Sequence, residues 1–441
     1  MQITGLRICK GIFFRNKITL PVLFFVSLNL HSFSQSNRTL SYYLKAAEQN
    51  SPVLKENQNR QSLNALQRTL QSAQIRSPQV SLTSDYLLAP FFNSHGKAIE
   101  ITNNPSSQAI GYDAGITNGG LYSALVNLNL PILTQKLAAP VLLQNKIQLD
   151  QLKNEQLVIQ HELENNVTAQ YLDALQLQQQ SESMRELAGM LSDRIGVAKK
   201  LLEKGLMTSA DYLLMQIEEA GRNNEIAGLE MKFRASIVML NNLCGISDTS
   251  AVSLAVPEIE ITSRKTSFNY QEKYKADSLS NAVSADVFNI KYHPQLNLFG
   301  NAGLNATYAP DVPRNVGFSA GVHLSIPVYD GRQKKMNGSM VQINKQILAD
   351  NKYVFALQLN NSLDMLSEEI GQKQKLITLQ KEQIVQYENL LQIYRQQAEN
   401  GQVPAITFLL ALSQYREAKQ TLISGQTDLL LLISQYNYLN W

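Results

Sequence analysis

The stretch YSALVNLNLPILTQK, residues 122–136, returns without a gap as FSAGVHLSIPVYDGR, residues 318–332, 196 positions further on. Both follow the pattern aromatic-Ser-Ala-x-Val-x-Leu-x-Leu/Ile-Pro. Tyr122, Ala124, Val126, Leu128 and Leu130 alternate with Asn127 and Asn129, and Phe318, Ala320, Val322, Leu324 and Ile326 alternate with His323 and Ser325. A period of two marks a strand with one apolar and one polar face. Each strand ends at a proline, Pro131 or Pro327, a residue that donates nothing to a ladder and is well suited to open a helix. The pair therefore reads as two junctions between a strand and a long helix.

The same offset carries EKGLMTSADYLLMQ, from Glu203, onto ENGQVPAITFLLAL, from Glu399. Gly205 falls on Gly401 and Tyr212 on Phe408, and both proline-to-glycine spacings are 74 residues. Two anchors at one spacing indicate an internal duplication. Upstream, SPQVSLTSDY at Ser77 resembles HPQLNLFGNAGLNATY at His293, here at an offset of 216. The first half thus carries 20 extra residues between its strands, within 87–120, a stretch rich in Asn, Ser, Gly and Pro. Surface loops tolerate such insertions. In the second half Leu296, Leu298, Ala302, Leu304 and Ala306 alternate with Asn297, Asn301 and Asn305. The strands are expected at about 78–86, 121–130, 294–308 and 316–326. An aromatic girdle is expected from Tyr86, Phe91, Tyr112, Tyr122, Tyr308 and Phe318.

Helical periods follow the prolines. Leu163, Val167, Tyr171, Ala174 and Leu177 step by fours and threes, as do Leu359, Leu363, Leu366 and Ile370. Long helices are expected over about 133–204 and 332–399, the first spanning roughly 108 Å, with return helices over about 208–243 and 404–438. Pro140 lies inside the first and either kinks it or delays its start. Helices of this length with narrow apolar stripes pack in coiled-coil fashion against long partners. The glycines at each reversal are the expected helix stops. A further helix precedes the first strand and breaks near Ser51 and Pro52. The domain reading is a signal peptide over 1–34, a first repeat over 35–246, an irregular linker over 247–268 and a second repeat over 269–441.

The signal-peptide reading rests on Arg7, Lys10, Arg15 and Lys17 before an apolar run, with Ser32 and Ser34 at a small-residue cleavage pattern. A net charge of +3 gives no argument for nucleic acid. Of the two cysteines, Cys9 falls in that leader, leaving Cys244 without a partner. The five histidines are scattered, and no metal-ligand, phosphate-loop or nucleophile pattern is present in the sequence. The expectation is no enzyme and no cofactor.

Taken together, the signal peptide, the tandem strand–strand–helix halves, HPQLNL, VHLSIPVYDG and EKGLMTSADYLL resemble the TolC-type outer-membrane efflux factors over nearly the whole mature chain. The resemblance implies a mainly α chain with a small β part. Three chains would share a twelve-stranded barrel, four strands each, on an α-helical periplasmic tunnel. The implied partners are two further copies, outer-membrane lipid, a periplasmic adaptor and an inner-membrane pump. Asn127, Asn129, Asn297, Asn301, Asn305 and His323 would line a wet exit. Gly205, Leu206, Thr208, Ser209 and Asp211, with Gly401, Gln402, Val403 and Thr407, would form the adaptor-docking tip and gate. The second turn departs from the family pattern, with Gln402 in an apolar position and Thr407 in place of the counterpart of Asp211. Asp211 reads equally as a gating ring or as a charge at a helix N-terminus. Small-molecule efflux is the leading function. Type I protein secretion, metal efflux and a secreted soluble coiled-coil adhesion protein are the alternatives.

Overall fold

The computed structural model describes residues 38–113, 120–248, 252–265, 269–399 and 404–441, together with the backbone of Asn37. The expected leader and the turn residues Gly401, Gln402 and Val403 lie outside the described residues.

A short strand β1 (Asn37–Arg38) leads into α1 (Leu40–Asn50) and α2 (Pro52–Arg76). Ser51 separates these helices. Its hydroxyl accepts the amide of Leu54 at 3.3 Å and Pro52 occupies the first helical position, a favourable N-terminus. Then follow β2 (Gln79–Leu88), a hairpin of β3 (Phe91–Ser94) and β4 (Lys97–Glu100), β5 (Gly120–Ile132), α3 (Thr134–Glu203) and α4 (Ser209–Leu243). The second half runs β6 (Ser253–Leu254), α5 (Tyr270–Asn289), β7 (Gln295–Ala306), β8 (Val316–Ser325), α6 (Gln333–Glu399) and α7 (Ala405–Leu439). The 70 residues of α3 extend roughly 105 Å at 1.5 Å per residue. Pro140 is accommodated inside that helix, which starts at Thr134 and is not delayed by it.

The main sheet has the order β2-β5-β7-β8 and is antiparallel throughout. Leu88, Gly120, Ala306 and Val316 share one end. All four main helices that adjoin the sheet, α2, α3, α5 and α6, therefore meet its other end. Packing continues α2 on α3, α3 on α5 and α5 on α6, while α4 and α7 return along α3 and α6.

The helical stripes are buried as their spacing requires. Val167, Tyr171 and Ala174 of α3 are fully buried, and Leu359, Leu363, Leu366 and Ile370 of α6 are buried against Ile433 and Tyr436. A belt around Tyr43, Tyr171, Leu240 and Leu254 ties the first half to the linker. There the Tyr171 hydroxyl lies 2.9 Å from the Arg38 carbonyl and 2.6 Å from that of Ala255. Trp441 stacks on His161 at 4.4 Å and 15°.

Several sequence expectations need correction. Pro131 does not end its strand. β5 continues to Ile132, with Pro131 opposite Asn297. Since β2 begins at Gln79, opposite Asn129, Pro131 has a neighbouring strand on one side only, where a missing N–H is tolerated. Pro327 does lie beyond its strand, and eight positions separate Ser325 from Gln333. Asp330 supplies the helix start there. Its carboxylate accepts the amides of Arg332 and Lys334, each at 2.8 Å, and the hydroxyl of Tyr292, which chiefly holds it below the usual carboxylate range. The linker is not wholly irregular, because β6 pairs in parallel with β1. The inserted segment is not merely a loop, since it contains β3 and β4. Phe91 does not join a surface girdle but is buried.

Candidate functional site: a two-faced sheet and a helical tip

The register sorts the sheet residues into two faces. One row runs Leu82–Val126–Ala302–Phe318, and the row one residue along runs Ser81–Asn127–Asn301–Ser319. The first belongs to a face of Val80, Leu128, Leu298, Val322 and Leu324, interrupted in β2 by Ser84 alone. The second belongs to a face that collects Asn127, Asn129, Asn297, Asn301, Asn305 and His323. Polar side chains bond across strands on that face. Asn127 Nδ2 donates to Thr83 Oγ1 at 2.8 Å, Ser123 Oγ to Asp85 Oδ2 at 3.2 Å and Ser319 Oγ to Asn301 Oδ1 at 2.8 Å. Phe299 is the aromatic on the polar face, and sequence alternation alone did not single it out. Its ring lies over its pairing partner Gly321, where a Cβ would come within 2.6 Å of the ring.

Among the described residues nothing covers the apolar face. Leu82 is 75 % exposed and Phe318 89 % exposed. An uncovered patch of this extent is abnormal for a surface in water. β2 and β8 are open edges. Tyr86 and Tyr122 meet edge-on at 6.3 Å near the loop end of this face.

The opposite pole of the first half is the α3–α4 turn. Gly205 adopts φ +72°, the left-handed region that favours glycine. Its amide reaches the Leu202 carbonyl at 2.9 Å, and that of Leu206 reaches Leu201 at 2.8 Å, a paired helix stop of the Schellman type. Leu206 is left 68 % exposed. Thr208 caps α4, accepting the Asp211 amide at 3.1 Å and donating to Asp211 Oδ2 at 2.7 Å. The Asp211 carboxylate is thus engaged by its own helix cap. Ser209 is the first residue of α4 and is exposed. In the second half Pro404 precedes α7, whose third residue is Thr407, its amide bonded to the Pro404 carbonyl at 3.1 Å.

Two features near this tip were missed in the sequence because they join residues far apart in the chain. Glu225 of α4 accepts from Arg416 at 3.2 Å and Gln420 at 3.3 Å of α7, and lies 3.5 Å from the buried Arg222, which also pairs with Glu218. A cavity of 370 Å³ opens between α3, α6 and α7, lined by Met190, Arg194, Glu388, Leu391, Phe408 and Tyr415 among others. The Tyr415 hydroxyl donates to Glu388 at 3.0 Å, and burial pushes that phenol up. Among the described residues no cluster of three or more metal-ligating side chains occurs, and no helix is long and apolar enough to cross a membrane.

Solved structures share this fold. The outer membrane protein VceC of Vibrio cholerae superposes with a TM-score of 0.68 at 14% identity, over 91% of this chain and 96% of that one. The CmeC outer membrane channel of Campylobacter jejuni gives 0.70 at 10% identity over 91% and 85%, and the open-state MtrE outer membrane channel of Neisseria gonorrhoeae 0.66 at 10% over 91% and 88%. No family model and no curated protein sequence matches the chain. The chain has the fold of these outer-membrane channels.

Proposed function

We propose that three copies of this chain pool their strands into a twelve-stranded barrel in an outer membrane, above a periplasmic helical tunnel. In this reading the protein is the passive exit duct of an efflux assembly. A pump in the inner membrane supplies small molecules through a periplasmic adaptor that docks on the tip. The observation that carries the reading is the uncovered apolar sheet face, backed by a polar face and bounded by two open edges. Such a face suits lipid, but an open edge in lipid leaves backbone groups unpaired at several kcal/mol each. Pairing β2 of one copy with β8 of the next removes both edges at once, and a rotation that closes makes a ring. The flanking helices support self-association. Leu63, Leu66 and Leu70 of α2 and Met336, Met340, Ile343 and Ile347 of α6 form exposed apolar stripes at helical spacing. These helices adjoin β2 and β8, so the stripes would meet across the same seam. A secreted soluble adhesion protein would have no use for the sheet face.

Asn127, Asn129, Asn297, Asn301, Asn305 and His323 then line the exit. Gly205, Leu206, Thr208 and Ser209 form one docking turn, and Gly401, Gln402, Val403 and Thr407 the other. The test is to express the chain in a Gram-negative host, recover it from membranes, and measure detergent-solubilised mass and single-channel conductance. Expected are a three-chain mass and discrete conductance steps. A monodisperse water-soluble monomer refutes the reading.

A further inference from the structure

Within the inserted stretch of the first half, the described residues 89–113 form a small lobe at the loop end of the sheet. β3 and β4 pair, and Phe92 also bridges to Ile110 on its other side, so that the segment around Ile110 lies alongside the hairpin. One side of the lobe is filled. Phe91 is buried against Gly111, where a Cβ would come within 2.5 Å of its ring, and Ser94 Oγ accepts the Ser106 amide at 3.1 Å. Glu100 closes the hairpin on His95 at 2.9 Å and Lys97 at 3.2 Å. The other side is bare. Phe92 lies between Ile99 and Ile110, with Ile101 and Tyr112 beyond, and all five are exposed, Ile99 by 62 %. Among the described residues the lobe makes no extensive packing with any other element of the chain.

The topology determines what stands beside it. The lobe follows Leu88 of β2, an edge strand, and the 3-10 connector Ala309–Arg314 precedes Val316 of β8, the other edge, at the same end. When β2 of one copy pairs with β8 of the next, the neighbour's connector stands at the foot of the lobe. That connector is short and proline-rich and shows Pro310 and Pro313 to solvent, with exposed Tyr308 just before it and exposed Val316 opening β8 just after. The second half has no comparable insertion, so every seam receives one lobe and one connector.

We infer that the lobe is a clasp between copies of this chain. Its Phe92–Ile99–Ile110 face seats on the neighbour's connector and seals the outer rim of the β2–β8 seam. The inference rests on the trimeric reading above. Its test uses the full chain with Cys244→Ser, carrying Ile99→Cys with Pro313→Cys, treated in membranes with a short bismaleimide. Ile110→Cys with Asn315→Cys serves as a second pair. Adducts of two- and three-chain mass are expected from either pair and from no single variant. A three-chain detergent mass without intermolecular adducts from both pairs overturns the clasp and leaves the trimer standing. So do adducts confined to one chain, or quenching of a fluorophore on Ile99→Cys by brominated lipid in the absence of adducts. A single-chain mass overturns both readings.

Discussion

Placing arginine at Val126 and, separately, at Asn127 tests the two faces one residue apart. Val126 is the central residue of β5 and sits in the row Leu82–Val126–Ala302–Phe318, wholly apolar and uncovered. If that face meets lipid, an arginine near the bilayer midplane costs about 2–4 kcal/mol. At 1.36 kcal/mol per decade this is roughly a 30- to 900-fold loss in the folding equilibrium. Asn127 sits in the row Ser81–Asn127–Asn301–Ser319. Its replacement forfeits an exposed 2.8 Å bond to Thr83, at most about 1 kcal/mol. The assay is the folded fraction in lipid vesicles across a urea series, read by gel migration without heating. Val126→Arg is expected to shift the midpoint strongly and Asn127→Arg little. Equal shifts, both within about 0.5 kcal/mol of the parent, would mean that water bathes both faces, and would refute the assignment.

Three further outcomes are expected. Tyr171→Phe takes the hydroxyl donor from the Ala255 carbonyl in a buried belt, while the Arg38 carbonyl keeps the Ala255 amide at 3.2 Å; the loss costs about 1–3 kcal/mol and should speed proteolysis of the 252–265 linker, whereas an unchanged rate would sink the anchoring role. Thr208→Ala removes the α4 cap at about 1 kcal/mol, so amide exchange at Asp211 should quicken several-fold, and unchanged exchange would deny the cap. Glu100 is held at about 2, chiefly by its bond to His95, so its contribution to the lobe is full above the unfolded value of 4.5 and is lost as pH falls from there towards 2. Measured relative to an unfolded peptide at the same pH, pepsin nicking of the lobe should rise across that window in the parent and stay level in Glu100→Gln.

The strands and long helices were legible because period two and period 3.6 are written into single residues, Val126 against Asn127 and Leu363 against Leu366. α5 was not read as a helix. Val283 is its one buried residue, so its stripe is too thin to signal. β1 and β6 are two residues each and exist only because they find one another across the chain. β3 and β4 hid in a segment whose Asn, Gly and Pro content reads as loop. At the tip, Gly205, Thr208 and Asp211 were legible because capping is local, whereas the Arg222–Glu225–Arg416 network joins α4 to α7 across a distance that no spacing reveals.

By itself the sequence determined the strand faces and the helix stop at Gly205, since each depends on residues a few positions apart, and it showed the duplication as a gap-free match at an offset of 196. Tertiary structure decided which strands are edges, that no described residue covers the apolar face, and that the two proline junctions differ. Pro131 is held inside β5 by its neighbour β7, and Pro327 stands free while Asp330 starts the next helix. The repeated motif is local, but what a proline does in it depends on whether a strand lies alongside, and that is settled only when distant segments pair.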